Sequence, residues 1–241
     1  MKLFNDDMQV AQLGNFQFSG ARPDKLGSTE YTLVTLVTDK TGSVSGFAPE
    51  LLAMKRSVVD ACAKSPRRDY LMVRNVEFAT ASEEIHGFAE LRVVDAAQYT
   101  EPRCGGMTAL YDATFMAVAA TNEYARMLAD QDFSVNAVVF VITDGDDNAS
   151  AHTPASVAQE IARGVNNEWL ESLNVVLVGV NASQYRHELE GFKNAASLTQ
   201  YVDAGDATPQ RLAKLADFVS RSISSQSQAL GTGGPSQALV F

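Results

Sequence analysis

The 241-residue chain is poor in the residues that build several common kinds of site. It has two cysteines, Cys62 and Cys104, and neither belongs to a C-x-x-C pair. A zinc centre of the usual spacing is therefore excluded, and reduced thiols are the expected state, with a disulfide left open. Its three histidines, His86, His152 and His187, are scattered and form no ligand pattern. There is no G-x-x-x-x-G-K-[ST] loop and no G-x-G-x-x-G turn, so the common nucleotide-phosphate cradles are missing. The stretch GSVSG at 42–46 carries Val44 where a nucleophile elbow needs serine. No apolar run approaches the ~20 residues of a membrane span. The first residues, MKLFNDDMQV, place Asp6 and Asp7 where a secretory leader needs an apolar core, so a cytoplasmic protein is expected. Positive charge is scarce as well: 19 Lys and Arg stand against 29 Asp and Glu, a formal net charge of -10. Such a surface disfavours nucleic acid and anionic membrane, and favours cations or basic patches on other proteins.

What remains is the composition of one globular domain, with 46% hydrophobic and 20% charged residues and no internal repeat. Phe16 and Phe18 alternate with polar neighbours and predict a short edge strand. Tyr31–Thr38, Val135–Thr143 and Leu173–Val180 read as buried strands, being nearly continuous apolar and β-branched runs. Strands near Tyr70–Phe78 and His86–Val94, joined by the polar link ATASEE, read as a hairpin. A weaker strand is expected near Leu198–Val202. Helical spacing marks about 49–63, 109–128 and 155–164, and a last helix that starts after Thr208 and fades near Ser222. This alternation predicts an α/β, Rossmann-like three-layer sandwich with a mostly parallel central sheet of about six strands and one antiparallel edge strand. Residues 1–29 read as an N-terminal extension, and 222–241 as a flexible Ser/Gln/Gly-rich tail whose apolar end is either loose or a short docking peptide.

Ligands in such folds sit beyond the carboxyl ends of the strands. Three loops there carry oxygen donors. Asp39, Thr41 and Ser43 stand at alternate positions after the first strong strand, so an extended backbone turns them to one side and Lys40 to the other. Gly105-Gly106 precede Thr108 at a helix start, and Asp144-Gly145 follow the most apolar strand. Two carboxylates and three hydroxyls are hard donors, suited to Mg²⁺, Mn²⁺ or Ca²⁺ rather than zinc. Asp146 and Asp147 read as solvated loop acids.

Asp39-x-Thr41-x-Ser43, Thr108 in GGMTALYDA and Asp144 in FVITDGDDN together resemble the metal-ion-dependent adhesion site of the von Willebrand factor type A family, over about residues 30–220. The resemblance implies a domain at 30–221 in which Thr41, Ser43 and Thr108 are hydroxyl ligands and Asp39 and Asp144 act directly or through water. It implies a non-enzymatic module whose metal takes an Asp or Glu carboxylate from a partner protein. Stand-alone members of the family act as adaptors beside ATPases or in stress- and phage-associated complexes. Thr41 departs from the family's usual serine. An alternative resemblance is to the haloacid-dehalogenase-like phosphotransferases: Asp39-Lys40-Thr41-Gly42-Ser43 is close to their D-K-T-G-T, with Asp39 as nucleophile and Asp144 beside Mg²⁺. The later motif is scrambled at Asp147 and Asn148, and GGMTALYDA is unexplained by it.

Overall fold

A computed structural model describes residues 7–14 and 16–241. The N-terminal stretch weighed above as a leader lies, up to Asp6, outside them. Among the described residues eight strands form one sheet: β1 (Met8–Leu13), β2 (Phe16–Ala21), β3 (Glu30–Asp39), β4 (Leu71–Phe78), β5 (Ser82–Glu90), β6 (Ser134–Thr143), β7 (Leu173–Val180) and β8 (Gln200–Gly205). Their spatial order is β1-β2-β5-β4-β3-β6-β7-β8. The helices are α1 (Ala48–Ala63), α2 (Leu110–Ala129), α3 (Pro154–Asn166), α4 (Arg186–Ala195) and α5 (Pro209–Thr232).

The three layers follow from strict alternation in the central strands. In β3, Tyr31, Leu33 and Val37 enter one core, and Val34 and Leu36 the other; β6 divides in the same way, Val135, Ala137, Val139 and Val141 against Val138, Phe140 and Ile142. The first core is closed by α2, α3 and α4, the second by α1 and α5. A strand buried on both faces needs apolar residues at every position, which is why these runs are continuous. No helix among the described residues is long and apolar enough to cross a membrane.

The expectations about the sheet are corrected first. The sheet has eight strands rather than about six, and the antiparallel strand β5 is interior rather than at an edge, because the β1–β2 hairpin extends the sheet beyond it. Residues 8–13 and 16–21, read as an extension, are part of that sheet. β2 meets β5 in parallel at Gly20 and Phe88. Glycine makes this approach feasible: a Cβ on Gly87 would lie 2.0 Å from the Ser19 carbonyl oxygen, and one on Gly20 would lie 2.6 Å from the Tyr124 ring.

A further correction concerns the end of the chain. The last helix does not fade at Ser222 but runs to Thr232, ending at Gly233 with φ 65°. Its inner face buries Ile223, Gln226, Ser227 and Leu230, and Asn136 Nδ2 donates to the Gln226 carbonyl at 2.8 Å. The segment beyond it is seated on its own chain. Leu239 and Phe241 pack against the α1/α5 core, Phe241 meets Phe218 edge-on at 5.5 Å, and Gln200 Nε2 donates to the Leu239 carbonyl at 3.1 Å. α4 was not expected from the sequence, because only Leu189 and Phe192 of its residues are buried.

Replacing Gly87 by alanine is expected to cost about 1–3 kcal/mol, the usual range for overpacking. It should also speed amide exchange across β1 and β2 while leaving β3 and β6 protected, which hydrogen-exchange mass spectrometry resolves.

Candidate metal centre

Parallel register places the site. β3 and β6 pair residue for residue up to Thr38 and Ile142, so Asp39 ends its strand beside Thr143, and Asp144 follows at once. The Thr143 hydroxyl donates to Asp39 Oδ2 at 2.6 Å. The Thr41 amide donates to Asp39 Oδ1 at 2.7 Å, a local turn that aspartate side chains favour. The chain then tightens into a short helical turn, Gly42–Gly46, anchored by buried Val44. That turn sets Thr41 Oγ1 3.0 Å from Ser43 Oγ, and Ser43 donates to Asp144 Oδ1 at 2.9 Å. Since the Ser43 proton goes to Asp144, the Thr41 hydroxyl is the donor to Ser43. Four of the five candidate ligands thus form one connected oxygen cluster. Asp39 and Thr41 are sealed beneath it, while Ser43 is exposed.

Thr108 is brought to the rim by a different route. Gly105 donates its amide to the Lys40 carbonyl at 2.9 Å, and Met107 to Thr80 Oγ1 at 2.9 Å. Gly106 has φ 88°, and a Cβ there would lie 2.8 Å from Thr80 Oγ1, so this turn needs glycine. Thr108 then exchanges two bonds with Asn148: its amide donates to Asn148 Oδ1 at 2.8 Å, and the Asn148 amide donates to its carbonyl at 2.9 Å. Among the described residues no hydrogen bond joins the Thr108 hydroxyl to the oxygen cluster. The third loop is tied to the start of α2. Asp147 Oδ1 accepts from the Tyr111 amide at 3.2 Å and from Ser150 Oγ at 2.5 Å, and Asp112 accepts from the Ala151 and His152 amides. Asp147 is therefore a loop-fixing residue rather than a solvated acid. Thr143 and Asn148 had no signal in the sequence: each depends on a pairing between distant segments.

The electrostatics leave the cluster short of positive charge. Burial raises the Asp39 pKa, against the bonds from Thr143 and Thr41 that lower it, and the Asp144 charge raises it further. Burial also raises the Asp144 pKa, partly offset by Ser43. Lys40, adjacent in sequence, turns away and pairs with Glu83, as strand alternation predicts. Two neighbouring carboxylates and three hydroxyls, with no lysine inserted, fit a hard divalent cation. Among the described residues no group of three or more His, Cys, Asp or Glu side chains is placed to hold a metal, so a cation here relies on the hydroxyls.

No protein-family model and no curated protein matches the sequence. The fold, however, is similar to solved structures. The minor pilin PilB from Streptococcus sanguinis superposes with a TM-score of 0.60 at 14% identity, over 90% of this chain and 66% of that one. The pilus adhesin SpaC from Lactobacillus rhamnosus GG gives 0.58 at 13% identity, over 92% and 36%. Proximal thread matrix protein 1 from the mussel byssus, with a zinc-occupied MIDAS motif, gives 0.53 at 21% identity, over 81% and 46%. The chain spans less than two thirds of the length of each of these. At such identities the likeness establishes the architecture alone, a mixed α/β sheet flanked by helices.

The raised carboxyl pKa values carry a signed consequence. The folded, metal-free protein holds protons at Asp39 and Asp144 more tightly than the unfolded chain does. That contribution to stability is present below the unfolded carboxylate range of about 4 and is lost as the pH rises through the raised values. At pH 7 the metal-free Asp144→Asn protein is expected to melt about 2–4 °C higher than the parent, the shift for about 1 kcal/mol in a chain of this size. The gap should close at pH 4, which thermal melts at the two pH values would show.

Proposed function

We propose that this chain is a protein-recognition module that holds a divalent cation at Asp39, Thr41, Ser43, Thr108 and Asp144 and offers it to a carboxylate of a partner protein. One observation carries the reading: side chains from two separate loops converge into a hydrogen-bonded oxygen cluster with two carboxylates and no counter-cation. A hard cation there would supply positive charge for an incoming Asp or Glu to complete its coordination. The protein's own residues do the rest. Thr143 and the Thr41 amide fix the Asp39 carboxylate, Asn148 fixes the Thr108 loop, and exposed Ser43 marks the side open to a partner. Met107, 54% exposed beside Thr108, gives that face an apolar contact point. The zinc-occupied motif of the byssus protein supports metal binding by this architecture, while the all-oxygen donors here favour Mg²⁺ or Mn²⁺, with Ca²⁺ next.

The phosphotransferase alternative is less well supported. A nucleophile must present a free carboxylate oxygen, but Asp39 is 1% exposed and both of its oxygens accept hydrogen bonds. The lysine beside it is engaged by Glu83.

Calorimetric titration of the metal-stripped protein with Mg²⁺, Mn²⁺, Ca²⁺ and Zn²⁺ tests the reading. Saturable binding is expected for at least one ion, weakened at least tenfold in Asp39→Ala and in Asp144→Ala. The Mn²⁺-loaded protein should also lose water-proton relaxation enhancement when acetate is added, as a carboxylate displaces metal-bound water. Binding left intact by both substitutions would place the metal elsewhere, and an enhancement indifferent to acetate would contradict the carboxylate bridge.

A further inference from the structure

A second polar recess lies on the α1 side of the sheet. It is a cavity of about 770 Å³ whose closed end is formed by Lys55 from α1, Asn75 and Glu77 from β4, His86 from β5 and Tyr99 from the loop that follows. All five are buried. Polar groups are rarely collected in this way without a purpose, since each must find a partner or lose its hydration. Most of these are partnered. Lys55 Nζ donates to Glu77 Oε1 at 2.6 Å. His86 Nδ1 lies 2.9 Å from the Gly87 carbonyl, which can only accept, so that nitrogen carries the proton. Burial favours the neutral ring, so Nε2, 2.7 Å from Tyr99 Oη, accepts the phenol proton.

Asn75 is the exception. It is 0% exposed, and neither its Oδ1 nor its Nδ2 makes a hydrogen bond of acceptable geometry. Burial raises the Tyr99 pKa, against the nearby Asn75 amide that lowers it, although no hydrogen bond of acceptable geometry joins the two. The backbone is shaped at this point too. The β4–β5 ladder breaks register on both sides of the Asn75–His86 pair, with β5 taking Ala89 to Glu84 while β4 takes Val73 to Val76. Bulges re-aim side chains and are over-represented beside functional sites. Here they set Asn75 and His86 opposite each other on the cavity wall.

We propose that this cavity is a binding site for an uncharged ligand group of the carboxamide class, which pairs its own N–H and C=O with Asn75 Oδ1 and Nδ2. Neutral chemistry follows from the closed end, where Lys55 and Glu77 already neutralise each other and His86 is uncharged; a charged ligand would be desolvated there without a counter-ion. The spare lone pairs of Tyr99 Oη add an acceptor for the ligand's second N–H. The mouth is wide and polar, with Gln98, Thr100, Arg103 and the acids Asp95 and Glu101 around it, so the carboxamide can enter free or as a side chain of a peptide. The site is independent of the metal centre, which lies at the ends of β3 and β6, although Lys40 borders the cavity.

The test uses the full chain, ¹⁵N-labelled, titrated with nicotinamide in one arm and with N-acetyl-glutamine methylamide in the other. Saturable shifts centred on the Asn75 side-chain amide and His86 are expected in at least one arm, which also tells a free carboxamide from a glutamine side chain. They should persist in Asp39→Ala and weaken at least tenfold in Asn75→Leu and in Tyr99→Phe. Asn75→Leu should melt no lower than the parent, because it removes an unbonded buried amide, and Tyr99→Phe provides the second variant if it does not fold. No shifts in either arm, or shifts unchanged in the folded variants, would overturn the proposal.

Discussion

The parallel pairing of β3 with β6 forces two carboxylates, Asp39 and Asp144, to the same end of the sheet, one at the last position of its strand and the other just past its strand. Both are largely removed from water, which raises both carboxyl pKa values, and the Asp144 charge adds to the cost of ionising Asp39. Burial of like charges is tolerated only where hydrogen bonds, protons or a cation compensate. The surrounding structure supplies the first of these: the Thr143 hydroxyl, the Thr41 amide and the Ser43 hydroxyl. It withholds lysine, since Lys40 is drawn off by Glu83. On the proposed reading, a metal ion would complete the balance.

The loops are built to hold that balance still. Each is tied to a neighbour through backbone groups: Gly105 to Lys40, Asn148 to Thr108, and Asp147 to the amide of Tyr111. The bond from the Tyr111 amide uses a main-chain donor that would otherwise be orphaned at the start of α2. Positioning of this kind costs stability at the cluster and is offset by the two apolar cores on either face of the sheet, where strand after strand buries side chains on both sides. On the proposed reading such a frame suits recognition, since a cation held by few protein ligands would leave a coordination position to whatever the face meets.

How much of this was legible in the sequence differs by element. β3, β6 and β7 were plain because strands buried on both faces must be apolar throughout. Asp39, Thr41, Ser43 and Asp144 were found because alternation and the strand-end rule put them together before any coordinates. Thr143 and Asn148 were not, since their roles depend on which strand lies beside which, a fact of topology rather than of local pattern. α5 was read ten residues short because its inner face buries Gln226 and Ser227, polar residues that accept bonds from Asn136 Nδ2 and Arg67 Nε, so the apolar period that marks a helix is interrupted. β1 is half exposed and lacks a buried stripe, and the glycine contacts that admit its hairpin to the sheet are invisible without a partner strand. Asn75 looked like an ordinary residue of a strand; only the double break in register shows it turned toward a cavity.

The most direct measurement of the central claim is anomalous diffraction from crystals grown with Mn²⁺. The account predicts one strong anomalous peak at the ends of β3 and β6, about 2.0–2.6 Å from the oxygen atoms of Ser43 and of its companions in the cluster. A peak bound elsewhere, or none at saturating Mn²⁺ with the Ser43–Asp144 hydrogen bond unbroken, would contradict it.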